Sequence, residues 1–292
     1  MCRKNFLSRF DMKRRLEKLI EDKLISSSLW SNEIEQDCKN QNVFLAIRDN
    51  RIDLYHKGGK LFTYDRSGFK THLKYASVIS SNKKDYLTEA ELLDYKLASD
   101  FESSYLRIKE NCSNYTGIEA LGVSEIYHKH SYLSDSNIIV LDVEISFESL
   151  NDENNQDRID ILLFNKDSRT LQFVEAKHFS NNEIWSRTTP KVISQIKRYE
   201  SQIAKRKPEI LSEYIDYIKI INRIFSLILP EPVEVDNNVT LLIFGFDNDQ
   251  KSGRLKKLIL QNRKYTGIKN YSIGNIKKVV PDNLWGVQSK SV

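Results

Sequence analysis

Between Asp157 and Lys177 the chain reads DRIDILLFNKDSRTLQFVEAK: two short apolar runs, Ile159 to Phe164 and Leu171 to Val174, around a polar break at Asn165 to Arg169. No other stretch limits the fold as much. β-Rich runs separated by a few turn-forming residues make a hairpin. With Lys166 to Arg169 as a four-residue loop, Asp160 falls opposite Glu175, and directly paired side chains on one sheet face have Cβ atoms about 4.5–5.5 Å apart. Alternation along the strand puts Lys177 on the face of Glu175 and sends Ala176 to the other. Two carboxylates and an amine then converge on one patch, provided the register holds, since a slip of one residue turns every side chain over.

Adjacent carboxylates in a partly dry site repel, so they share a proton or hold a cation. Mg²⁺ takes carboxylate, carbonyl and water oxygens, and a lysine beside it positions a nucleophile or stabilises phosphate charge. The plainer alternative is a surface hairpin with an ordinary Glu–Lys pair. Downstream, KVISQIKRYESQIAKRK predicts a helix over 190–206, with Pro190 in its first turn and Thr188 or Thr189 as cap. Gln195 and Tyr199, four apart, share one face of it, with Lys191 a turn earlier.

Asp160, Glu175-Ala176-Lys177 and Gln195-x-x-x-Tyr199 together resemble the PD-(D/E)xK nuclease superfamily, in particular its RecB-type branch with a Q-x-x-x-Y helix. The proline of the family name is absent; Ile159 precedes Asp160. The resemblance implies that Asp160, Glu175 and the Ala176 carbonyl hold Mg²⁺, with Mn²⁺ able to substitute, that Lys177 is catalytic, and that Gln195 and Tyr199 line the site. It also implies an αβββαβ core: strands over 139–148, 158–164, 170–178 and 239–246 around the 190–206 helix, with an inserted helix at 209–229. The expected fold is α/β, a mixed central sheet flanked by helices on the restriction-endonuclease-like plan, with a small N-terminal β-rich module. The expected domains are 1–80 and 85–292. The expected activity is metal-dependent hydrolysis of phosphodiester bonds in DNA, in restriction, phage defence or repair, DNA being favoured over RNA on the resemblance alone. Two other classes stay open: a nucleic-acid-binding or assembly subunit without catalysis, and a phosphohydrolase of small nucleotides. No Walker A motif is present, so an ATP-driven step needs a protein partner such as an ATPase or activator. A homo-oligomer is compatible with all of these.

A further acidic residue completes many such sites. Glu102, Glu119 and Glu125 qualify by position ahead of the first core strand, and Glu144 qualifies on it. In NIIVLDVEISF, alternation gives Asp142 and Glu144 one face, where an acidic side chain among apolar neighbours needs a partner. Glu144 either joins the metal site or faces solvent.

Charge is uneven. From Arg187 onward 19 Lys and Arg stand against 10 Asp and Glu, although the whole chain carries only +5. A basic flank suits a phosphate backbone, and equally an ordinary lysine-rich surface. With 40% hydrophobic and 29% charged residues among 292, the chain reads as globular, with one large or two modest domains. No run approaches the ~20 apolar residues of a membrane span. MCRKNFLSRFDMKRR has no apolar signal core, and Cys2, Cys38 and Cys112 form no C-x-x-C pattern. A cytoplasmic protein is expected.

Residues 4–27 predict a basic amphipathic helix, and 43–76 an antiparallel meander with turns at Asp49-Asn50, Gly58-Gly59 and Ser67-Gly68. Residues 87–111 predict a helix opened by a Thr88/Glu91 capping box. His128-Lys129-His130 on a strand would put both rings on one face, as a surface pair or, with a further ligand, a metal site. A basic helix over 251–263 and a late strand KNYSIG complete the chain.

Overall fold

The computed structural model describes residues 12–76, 100–147 and 157–288. The chain divides into two compact units, Leu16–Ser134 and a second that combines Met1–Arg15 with Asp135–Val292. The boundaries differ from the expected break between residues 80 and 85, so the smaller unit is an insertion near the N-terminus of the larger.

In the inserted unit the meander forms as β1 (Phe44–Arg48), β2 (Arg51–His56), β3 (Gly59–Asp65) and β4 (Gly68–Lys70), in that order and antiparallel. Two-residue loops whose twist matches the strands need positive φ. Asn50 supplies it between β1 and β2 (φ 50°), and Lys57 and Gly58 between β2 and β3 (φ 46° and 83°). A Cβ on Gly58 would lie 2.4 Å from the Ala120 carbonyl oxygen, and one on Gly59 would lie 2.5 Å from Cys112 Sγ. These approaches explain the boundary. The helices Tyr105–Asn114 and Ile118–Lys129 sit on the meander, and the Tyr132 hydroxyl donates to the Leu45 carbonyl. Residues 73–76 are helical, where a last strand was expected. Of the 4–27 helix, residues 4–11 lie outside the described residues; the described helix is Lys18–Ile25, preceded by extended Glu17 (φ −62°, ψ 138°). Thr88, Glu91 and the rest of 77–99 also lie outside them.

The larger unit is built on a mixed sheet of order β10-β9-β7-β6-β5, flanked by helices. Its strands are β5 (Ile138–Phe147), β6 (Asp157–Asn165), β7 (Thr170–His178), β9 (Thr240–Phe244) and β10 (Lys269–Ile273), with short β8 (Glu234–Val235) beside the start of β7. β5, β6 and β7 are antiparallel; β9 runs parallel to β7 and β10 parallel to β9. The hairpin has the expected loop. Asn165 pairs with Thr170, Asn165 Oδ1 accepts from the amides of Asp167 and Ser168, and Arg169 closes the turn at φ 55°. β9 is buried throughout, as a continuous apolar run between two neighbours should be.

The helical region Lys191–Phe225 joins the two expected helices across a kink at Arg206 (φ −120°, ψ 16°), two residues before Pro208. Proline lacks an amide donor and clashes with the carbonyl four residues back, so the break falls there. Pro190 is the N-cap, with extended backbone and no side-chain cap bond, rather than a first-turn residue capped by Thr188 or Thr189. The expected 251–263 helix is a turn at Asn248–Gln250 followed by wide π-type turns over Lys251–Leu260. Among the described residues no helix is long and apolar enough to cross a membrane.

Candidate functional site at the fork between β6 and β7

The β6–β7 ladder runs from Asn165↔Thr170 to Ile161↔Val174. Asp160 and Glu175 are the next step in that register, but the backbones part there. β6 stays with β5 as far as Asp157, and β7 stays with β9 as far as His178. At the fork a side chain takes over from the ladder: Asp160 Oδ2 accepts from the Ala176 amide at 2.7 Å. The alternation predicted for the hairpin thus brings Asp160 to β7 beside Glu175, and the anchored carboxylate is part-buried.

Lys177 lies two residues beyond Glu175 on the same face. Its Nζ is 2.8 Å from Glu175 Oε1, with both side chains nearly closed to solvent, and 3.2 Å from the more exposed Glu183 Oε2. A buried ion pair needs good geometry to offset desolvation, and two carboxylates flanking one ammonium supply it. Glu183 carried no signal in the sequence. It sits in the single turn Asn182–Ile184, where its own amide donates to Asn181 Oδ1, and such a turn has no periodicity to read.

Gln195 and Tyr199 do meet. Gln195 Nε2 donates to the Tyr199 hydroxyl at 2.6 Å, and that hydroxyl donates to the Arg158 carbonyl at 2.7 Å. Tyr199 is fully buried. The helix is therefore pinned to β6 two residues from Asp160, so both residues act on the strand that carries the carboxylate.

The shared face expected for Asp142 and Glu144 does not form. A register shift between Val140 and Asp142 and a left-handed φ of 53° at Glu144 interrupt the alternation of β5. Glu144 is partly exposed and pairs with Arg158 at 2.7 Å. Asp142, expected to share its face, is fully buried. It accepts from Arg14 Nε at 3.0 Å and from the Tyr214 hydroxyl at 2.9 Å. Among the described residues no group of three or more His, Cys, Asp or Glu side chains is drawn together as a metal shell.

Glu102, Glu119 and Glu125 all fold within the inserted unit, where Glu102 accepts from Ser28 and Asn32. His128 and His130 end a helix instead of lying on a strand. His128 Nε2 accepts from the Lys57 amide, its ring lies 6.2 Å from that of His56, and burial pushes its pKa down to about 3. That is the signature of a neutral packed imidazole.

No family model matches the chain, no curated protein matches it, and no solved structure matches it.

Proposed function

We propose that the larger unit is a metal-dependent nuclease that hydrolyses phosphodiester bonds in DNA, on a restriction-endonuclease-like core of β5, β6, β7, the Lys191 helix and β9. One observation carries the reading: Asp160, Glu175 and Lys177 gather at a strand fork, with the Gln195–Tyr199 pair bonded to the backbone beside them. The donor set fits a hard divalent cation. Glu175 and Glu183 flank Lys177, and Asp160 stands at the Ala176 amide beside them, so carboxylates outnumber the lysine and the donors are oxygens only. Asp160, Glu175 and the Ala176 carbonyl would hold Mg²⁺ or Mn²⁺, which when bound supplies Lewis acidity and neutralises phosphate charge. Lys177 keeps its ammonium beside Glu175 and orients the attacking water or meets the charge that develops on phosphate. Tyr199 and Gln195 keep β6, and with it Asp160, in place.

The second reading, a DNA-binding subunit without catalysis, draws on Lys177 being held by two carboxylates at once. Cleavage of linear and circular duplex and of single strands, with Mg²⁺ or Mn²⁺, separates the two. Metal-dependent cutting by the wild type that falls at least 100-fold in Lys177→Ala, in the range of one general acid–base or charge-stabilising group, is expected. Undiminished cutting by Lys177→Ala would refute the assignment, and DNA retention without any cutting would favour the binding subunit.

A further inference from the structure

Two residues past Glu183 the same turn presents Trp185. Its Nε1–H donates to the Phe179 carbonyl at 2.8 Å, and its ring meets Phe179 edge-on at 4.6 Å. The Tyr265 hydroxyl donates to the neighbouring Ile184 carbonyl at 2.8 Å. The indole is therefore fixed, yet only half-buried. Over it lies the guanidinium of Arg254, 4.1 Å from the ring centroid. Arg254 comes from the Lys251–Leu260 stretch, where Lys251, Lys256 and Lys257 are exposed too. Among the described residues no carboxylate pairs with Arg254.

An exposed arginine with no acidic partner, held over an aromatic face, keeps its charge and its five donors while losing rotamer freedom before any ligand arrives. That is an anion site prepared in advance. It shares one short, clamped turn with Glu183, which touches Lys177 at 3.2 Å, so an anion on Arg254 belongs to a ligand that also passes the fork. We infer that the Trp185–Arg254 stack is a backbone-phosphate contact that guides a nucleic-acid strand to the Lys177 site. The inference rests on the nuclease reading for its ligand class. Arginine suits phosphate because its fork matches two oxygens at once, and a backbone contact positions a strand without reading its sequence.

The test is the salt dependence of binding, measured in EDTA so that nothing is cut, with a labelled duplex of mixed sequence and the full chain as wild type, Arg254→Ala, Trp185→Phe and Lys219→Ala. Each phosphate neutralised contributes about 0.9 to the slope of log affinity against log salt for duplex DNA. Arg254→Ala is expected to flatten the slope by about 0.9, which at 0.1 M salt is a loss of about eightfold. Trp185→Phe keeps the cation, so it should weaken binding with little change of slope. Lys219, paired with Glu231 at 3.5 Å on another part of the unit, is the control for general charge and should shift affinity less than about twofold. An unchanged slope in Arg254→Ala, or an equal effect of Lys219→Ala, overturns the inference while leaving any Mg²⁺-dependent cleavage in place. Absence of DNA binding by the wild type overturns both readings.

Discussion

Arg14→Met isolates the buried pair that ties the start of the chain to β5. Arg14 and Asp142 have side chains 3% and 0% exposed, with Nε 3.0 Å from Oδ2. Solvent does not screen such a pair, and removing one partner leaves a charge stranded in the interior, at about 3–5 kcal/mol. Asp142 keeps the Tyr214 hydroxyl at 2.9 Å and the Val143 amide at 2.8 Å, which places the cost near the lower end, about 3 kcal/mol. For a unit of 150–250 residues, roughly 2–4 °C of Tm accompanies each kcal/mol. The variant should therefore melt about 6–12 °C lower. Scanning calorimetry is the assay, with amide exchange on β5 to assign the transition to the larger unit. Asp142→Asn alone should also destabilise, because Arg14 is then the stranded charge. The double variant should cost less than the two single changes together, with a coupling of about 2 kcal/mol or more. Additive effects, or a shift below about 1 °C for Arg14→Met, would refute the reasoning.

Two other outcomes are expected. Tyr199→Phe removes a fully buried hydroxyl that gives one hydrogen bond to the Arg158 carbonyl and takes one from Gln195; urea unfolding should show a loss of about 1–3 kcal/mol at unchanged slope, with DNA cleavage lowered as β6 loosens. Burial holds the His128 pKa at about 3 and also lowers that of His56. The unfolded chain therefore binds more protons than the folded one below pH about 6.5. Stability of the inserted unit is complete above that pH and is lost as pH falls toward 3, by about 1.4 kcal/mol per pH unit for each histidine that stays neutral. Unfolding measured from pH 7.5 to 5 should show the slope, and His128→Gln should reduce it.

The hairpin was legible because its information is local. Two β-rich runs and a four-residue break allow one register that buries both apolar sets, and Asp160 reaches β7 beside Glu175 as a consequence. The helical spacing of Gln195 and Tyr199 was legible for the same reason. What escaped was tertiary or conformational. The unit boundary depends on Gly58 and Gly59 meeting a helix more than fifty residues away, which no window of sequence displays. The common face of Asp142 and Glu144 was misread because a register shift and a left-handed residue suspend strand alternation, and neither has a side-chain signature there. The His128-Lys129-His130 triplet alternates like a strand, yet it ends a helix whose buried positions Val123, Ile126 and Tyr127 follow helical spacing.

The route of the chain also sets a timetable for synthesis. Arg14 leaves the ribosome 128 residues before the aspartate it pairs with. At about 5–20 residues per second, that is a wait of roughly 6–25 s. All of Leu16–Ser134 emerges in the interval and can condense around its meander, while the Arg14 guanidinium waits for Asp142 on β5. The larger unit thus closes last although it begins first. A fusion or truncation at the front of the chain would disturb the unit that carries Lys177 before it touched the inserted one.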